Sequence, residues 1–238
     1  MGKHLLFFFS LLFLLTSFSG SRHILRKGGY DLPYESFGFV MVAHIPKNCE
    51  EDCKDVMLAT GSAAIIKRTK EYTRLLTAGH VCAPIEDHDQ SIAIKDFDGN
   101  MHLVTGQVFE NDPDLCMMQT SDSWGIPLKL SKVEADYGDR VWNLAAPFGV
   151  FDKKMLLAFE GMYVGRREEK NDWYTLTAAP GSSGSPILNE RAEIIGIIHS
   201  AFKNLPEIAV SSTLEQIIAF SKIANDALDE SLSQKKKD

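Results

Sequence analysis

Three short segments carry side chains suited to acyl-transfer chemistry. In Ala179-Pro-Gly-Ser-Ser-Gly-Ser-Pro186, Ser183 lies between Gly181 and Gly184. A serine hydroxyl becomes a nucleophile only when a nearby base takes its proton, and attack on a carbonyl then needs N–H donors facing the developing oxyanion. Glycines let the backbone turn successive N–H groups into one concavity, which makes the Gly181 and Ser183 amides the candidate oxyanion hole. Taken alone, such a stretch reads equally well as a flexible Gly/Ser loop. Its partners lie upstream. Leu75-Leu-Thr-Ala-Gly-His-Val-Cys82 sets His80 directly after a strand-like apolar run, where it can serve as the base. Asn111-Asp-Pro-Asp-Leu-Cys-Met-Met118 opens an apolar strand with Asp114, a carboxylate able to hold an imidazole in one tautomer. Asp112 and Asp114 around Pro113 also suit a plain turn. His44, His88, His102 and His199 receive no catalytic role.

The chain order His80, Asp114, Ser183 matches one of the known triad orders. An α/β-hydrolase would place its serine first, on a strand–turn–helix elbow, whereas Ser183 comes last and is followed by Pro186 and a strand-like run. No cysteine lies between the paired glycines, so a thiol nucleophile has no place there. The blocks Thr77-Ala-Gly-His80, Asp114-Leu-Cys-Met117 and Gly181-Ser-Ser-Gly-Ser-Pro186 resemble the signature blocks of trypsin-like serine peptidases. A further block, Tyr137-Gly-Asp-Arg-Val-Trp-Asn-Leu-Ala-Ala-Pro-Phe-Gly149, is similar to the HtrA/Deg branch. The resemblance spans residues 61–213. It implies an all-β fold of two packed six-stranded antiparallel barrels with a C-terminal helix, and an acyl-enzyme mechanism on protein or peptide substrates without metal or cofactor.

The same resemblance carries expectations about activation and specificity. Ser182 stands where zymogen-activated digestive enzymes carry an aspartate, so activation by a freshly cut N-terminus is not expected. Thr177 would sit at the base of the pocket for the residue before the scissile bond, with Ile198, His199 and Ser200 in one wall. No acidic residue stands at that base, which argues against Arg/Lys selectivity. Glutamyl endopeptidases are also similar around 184–200 but carry a histidine in the wall where this chain has Ile198. An apolar or small residue is the expected preference. The HtrA branch usually continues into a peptide-binding PDZ domain, which is not expected after the last helix of this chain. An inactive protein on the same fold, acting by binding alone, is the alternative reading, because fold does not establish function.

The elements that must position these residues are legible as short alternating or apolar runs. Strands are expected at 38–45, 63–67, 74–77, 91–97, 102–109, 115–119, 140–145, 154–166, 173–176, 186–188, 194–200 and 208–210, with turns at Asp98-Gly99-Asn100 and Tyr137-Gly138-Asp139. Leu214, Ile217, Ile218, Ile223, Ala227 and Leu228 recur at helical spacing, and Ser212 with Glu215 suggests a capping box. The expected organisation is a signal segment over 1–19, an extension over 20–36, barrels over 37–120 and 121–212, and a helix with a Lys-rich tail over 213–238.

Residues Lys3 and His4 precede an apolar run from Leu5 to Leu15, and Ser17 and Ser19 offer a small-residue cleavage site before Gly20. That is the layout of a secretory signal, which predicts a secreted or periplasmic protein; retained, the run over 5–18 would instead anchor the chain to a membrane. Export suits the four cysteines, Cys49, Cys53, Cys82 and Cys116, as disulfide partners. Four cysteines allow three pairings; the local spacing favours Cys49 with Cys53, and Cys82 and Cys116 each follow a triad candidate by two residues. No second pair of Cys or His ligands clusters with Cys49 and Cys53, which leaves zinc without a site. A net charge of −7 excludes the basic face that nucleic-acid binding requires. Composition says nothing of oligomeric state.

Overall fold

In the computed structural model, residues 31–49, 55–167, 170–202 and 204–235 are described. The chain divides into two units, Met1–Leu32 and Pro33–Asp238, and the architecture below belongs to the second. Its first barrel is built from β1 (Phe37–Pro46), β2 (Met57–Arg68), β3 (Thr73–Thr77), β4 (His88–Asp96), β5 (Met101–Asn111) and β6 (Asp114–Thr120). These strands close in the order β1-β2-β3-β6-β5-β4, every neighbour antiparallel. Alternation sends Val40, Val42, Ile65, Leu75, Ile92, Ile94 and Met118 inward, where they pack with Trp124. Gly99, at φ +87°, makes the tight turn between β4 and β5 that a side chain would strain.

The second barrel uses β7 (Arg140–Ala145), β9 (Met155–Arg167), β10 (Asn171–Tyr174), β11 (Pro186–Leu188), β12 (Ile194–Phe202) and β13 (Leu205–Ser212). Their order is β10-β13-β12-β11-β7-β9, and pairing of β9 with β10 closes the ring. Val141, Tyr174, Leu176, Ile187, Ile195, Ile198 and Ala209 fill it. The expected two-barrel fold is therefore present. A two-residue strand, β8 (Phe151–Asp152), pairs with the start of β9; it is too short to leave a period in the sequence. Phe151 stacks on Phe39 with ring centroids 5.3 Å apart, which fastens this corner of the second barrel to β1 of the first.

The one-turn helix α1 (Gly79–Cys82) follows β3, and α2 (Leu214–Lys235) ends the described chain. The α2 capping box forms one residue later than expected. Gln216 Oε1 accepts the Thr213 N–H at 2.8 Å and Thr213 Oγ1 accepts the Gln216 N–H at 3.2 Å, because Ser212 is still held in β13. The buried stripe runs through Leu214, Ile217, Phe220, Ala224 and Leu228, while Ile218, Ile223 and Ala227 face solvent. This helix returns to the first barrel. Arg74 of β3 is fully buried and donates to Gln119 Oε1 (2.9 Å), Asn225 Oδ1 (2.7 Å) and Asp229 Oδ1 (2.6 Å), with the Tyr72 ring 4.5 Å from its guanidinium carbon. A buried guanidinium is tolerable only with such partners, so α2 supplies what β3 lacks.

Candidate active site

His80 is placed by α1 and Asp114 by the first residue of β6. The approach of the two segments depends on Gly79, where an added Cβ would collide with the Glu110 carbonyl and come within 2.8 Å of Asp114 Oδ1. Asp114 then accepts twice from one residue: the His80 backbone N–H reaches Oδ1 at 2.7 Å, and Nδ1 reaches Oδ2 at 2.8 Å. An ionised carboxylate only accepts, so Nδ1 carries the proton and Nε2 is left with its lone pair for an incoming proton. Burial pushes the Asp114 carboxyl up, but the two His80 hydrogen bonds, helped by the charges of His80 and His199, outweigh it and hold the group below the usual carboxylate range. The turn at Pro113 is also real, with Asn111 and Asp114 paired across it; the turn uses the Asp114 backbone, and the carboxylate is given to His80.

A disulfide joins Cys82 to Cys116, linking α1 to β6 two residues beyond each member of the pair. The expected Cys49–Cys53 bridge lies partly outside the described residues, since Cys53 is not among them.

Ser183 belongs to the loop between β10 and β11 and is half-buried. Its turn is bound to both barrels through the backbone. The Ser183 carbonyl accepts the Ser62 N–H at 2.8 Å, and the Gly184 N–H donates to Ile198 O at 2.6 Å. Gly184, at φ +87°, presses so closely on Thr77 Oγ1 and Ser62 O that any side chain would clash. The wholly buried Ser62 hydroxyl donates to the Gly181 carbonyl at 2.8 Å and accepts the Ala146 N–H at 3.1 Å. Ser62 carries no pattern that marks it in the sequence, and only the packing of β2 against the loop reveals its place.

The peptide between Pro180 and Gly181 is also held. Its carbonyl accepts the Phe148 N–H at 2.5 Å, so in a trans peptide the Gly181 N–H faces the other way. Gly181 itself, at φ +96°, has the Ala146 carbonyl 2.5 Å from where a Cβ would stand. Among the described residues, neither the Gly181 nor the Ser183 N–H donates to a protein group. Ser182, buried beside them, is used within the turn: its N–H donates to Ala179 O at 2.8 Å, and its hydroxyl accepts the Ala179 N–H at 3.2 Å.

A cavity of about 410 Å³ opens beside Ser183, and Ile198 and Ser200 line it. Thr177 is exposed and outside that lining. His199 is outside it too. A bulge in β12 between Ile198 and Ser200 turns His199 toward Asn171, whose Oδ1 lies 3.2 Å from Nε2. Burial lowers its affinity for a proton, the Asp114 charge raises it and that of His80 lowers it, leaving His199 below its ordinary pKa.

Residues 61–197, more than half of the chain, match the family model described as "Trypsin-like peptidase domain". The chain belongs to this family. Trypsin-like architecture also recurs among solved structures. The Rv3671c protease from M. tuberculosis, in its active form, aligns with a TM-score of 0.61 at 14% identity over 78% of this chain and 79% of its own. The HtrA-type protease AlgW with a decapeptide aligns at 0.61 and 18% identity, over 78% of this chain and 62% of its own. A serine endoprotease from Yersinia pestis aligns at 0.60 and 19% identity, over 82% of this chain and 64% of its own. At these identities the likeness concerns the fold. No curated protein sequence matches the chain. In this trypsin-like domain the family model runs through the segments of His80, Asp114 and Ser183 together.

Proposed function

We propose that this protein is a serine endopeptidase in which Ser183 attacks the scissile carbonyl, His80 is general base and then general acid, and Asp114 orients His80. The observation that carries this reading is the double contact of Asp114 with His80, which leaves Nε2 as the proton acceptor. In the proposed reaction Nε2 takes the Ser183 proton as the hydroxyl oxygen bonds to the carbonyl carbon. The Gly181 and Ser183 N–H groups receive the oxyanion, collapse expels the leaving amine with the proton held on His80, and water repeats the sequence to free the acid.

Among the described residues no hydrogen bond joins the Ser183 hydroxyl to His80. Hydrogen bonds of this type are often long without substrate and tighten in the Michaelis complex. The same observation favours the second reading, an inactive trypsin-like protein that binds without cleaving. Labelling of the full chain with a fluorophosphonate, followed by peptide mapping, separates the two: an adduct on Ser183 that His80→Ala abolishes supports the enzyme, and a folded protein without adduct supports the binder.

Export is part of this proposal. The signal-like run ahead of Gly20 and the Cys82–Cys116 disulfide both suit an oxidising, extracytoplasmic compartment. Among the described residues, no helix is long and apolar enough to cross a membrane.

A further inference from the structure

Resting on the assignment of Ser183 as nucleophile, we infer that this site selects substrates whose residue on the acyl side of the scissile bond is large and apolar, such as phenylalanine or leucine, with Phe148 and Phe202 as the residues that set the preference. The attacked carbonyl carbon must come within roughly 3–3.5 Å of the Ser183 hydroxyl. The side chain one bond away from that carbon can then reach only the space directly beside Ser183, which is the 410 Å³ cavity that Ser183 itself helps to line.

The lining decides the chemistry. None of its side chains is charged, and its polar hydroxyls besides Ser183 are already engaged: Ser182 with the Ala179 N–H, Ser200 with His199 Nδ1 at 3.1 Å. A lysine or glutamate head group would lose water there and find no counter-ion, which is a costly exchange. Ala178 and Ala179 contribute only methyl groups, and at about 410 Å³ the cavity holds more than an alanine or serine side chain would fill.

Two of the wall residues, Phe148 and Phe202, are aromatic and exposed. Phe148 is 75% exposed and Phe202 45%, so each keeps apolar surface that a side chain in the cavity can cover. The Phe148 backbone and the Phe202 ring are both anchored. Phe148 sits at φ +53°, its N–H bound to Pro180 O, in the corner whose neighbour Phe151 stacks on Phe39. Phe202 leans on the Trp173 ring, 6.0 Å between centroids. Two exposed aromatic rings bordering the cavity gain most from an apolar side chain placed against them. Thr177 and His199, expected from the family resemblance to shape this subsite, take no part in the lining.

The test separates this inference from the catalytic assignment by measuring binding in an inert protein. Full-length Ser183→Ala chain is titrated with peptides identical except for a C-terminal Phe, Leu, Ala, Lys or Glu, while fluorophosphonate labelling of the wild type tests the nucleophile independently. Phe and Leu peptides should bind at least ~10-fold tighter than the Ala, Lys and Glu peptides, in line with the discrimination that a few methylenes provide in an apolar pocket. Phe148→Ala and Phe202→Ala, both at exposed positions, should each reduce the Phe-over-Ala ratio by ~5-fold or more on the same scale. Equal or tighter binding of the Lys or Glu peptide, or a ratio untouched by both substitutions, would overturn the inference whatever the labelling shows. A chain that is not labelled yet ranks the peptides Phe and Leu first would keep the subsite and lose the enzyme.

Discussion

The two halves of the site are built by different means. The His80–Asp114 half is assembled inside the first barrel, by two hydrogen bonds between segments that a disulfide joins two residues further on. The Ser183 half is a glycine-bearing turn whose own hydroxyl has no hydrogen-bond partner among the described residues and whose backbone is fastened from outside, by Ser62 of the first barrel and by Phe148 and Ile198, with Thr77 packed against Gly184. One half is rigid by local cross-links. The other is shaped by the contact between barrels, so a change in β2 should be felt at Ser183 while leaving His80 in place.

The largest effect expected is on chemistry. Ser183→Ala or His80→Ala should lower peptide turnover by ~10³-fold or more, and Asp114→Asn should do comparable damage by favouring the imidazole tautomer with its proton on Nε2. Circular dichroism should show each variant folded; wild-type turnover in any of them would break the assignment of its half to catalysis. Next is the cross-link. The Cys82–Cys116 bridge spans 34 residues, and its removal by paired Cys→Ala substitution should cost ~3–4 kcal/mol in denaturant unfolding. A loss well under ~1 kcal/mol would mean that the first half holds itself together without it.

Ser62→Ala probes the other half. It leaves the buried Gly181 carbonyl and Ala146 N–H without their partner, for ~1–3 kcal/mol of stability, and should slow labelling at Ser183. The His80–Asp114 pair should be unaffected, as read by the NMR shift of the His80 Nδ1 proton; movement of that signal would show that the halves are not independent.

The smallest effect is in pH dependence. Asp114 has its folded-state pKa depressed, so its contribution to stability is fully present above the unfolded value and is lost as pH falls through the folded one. Asp114→Asn should flatten that part of the acid limb. His199 is likewise depressed, but as a base: the folded state disfavours its proton, so it removes stability as pH falls below about 6.5 toward its folded value, and His199→Gln should relieve the loss. Identical stability curves for wild type and variants between pH 3 and pH 7 would show that neither group is coupled to folding.

Much of this was legible in the residues themselves. Alternation and turn residues placed most strands, because a half-buried strand leaves a period of two in the sequence, and the helical stripe announced α2. Its cap lies one residue beyond the pattern in the sequence: both Ser212/Glu215 and Thr213/Gln216 have capping chemistry, and only the reach of the β13 ladder decides between them. β8 left no trace, being two residues long and dependent on Phe39 in another barrel. The wall expected for the specificity pocket shows the same boundary. Ile198 and Ser200 line the cavity, whereas a one-residue bulge turned His199 away and brought no signal in the local sequence.

The sequence by itself determined the types and order of the candidate reacting groups, the glycines at 181 and 184, and the β-rich framework, since these follow from local chemistry and short-range periodicity. Only the tertiary structure decided that Asp114 meets His80 twice, that Ser62 braces the serine turn, and that Phe148 and Phe202 stand open beside it. Each of those contacts joins residues at least 34 positions apart or depends on where a barrel closes, and no pattern within one segment encodes a meeting between two.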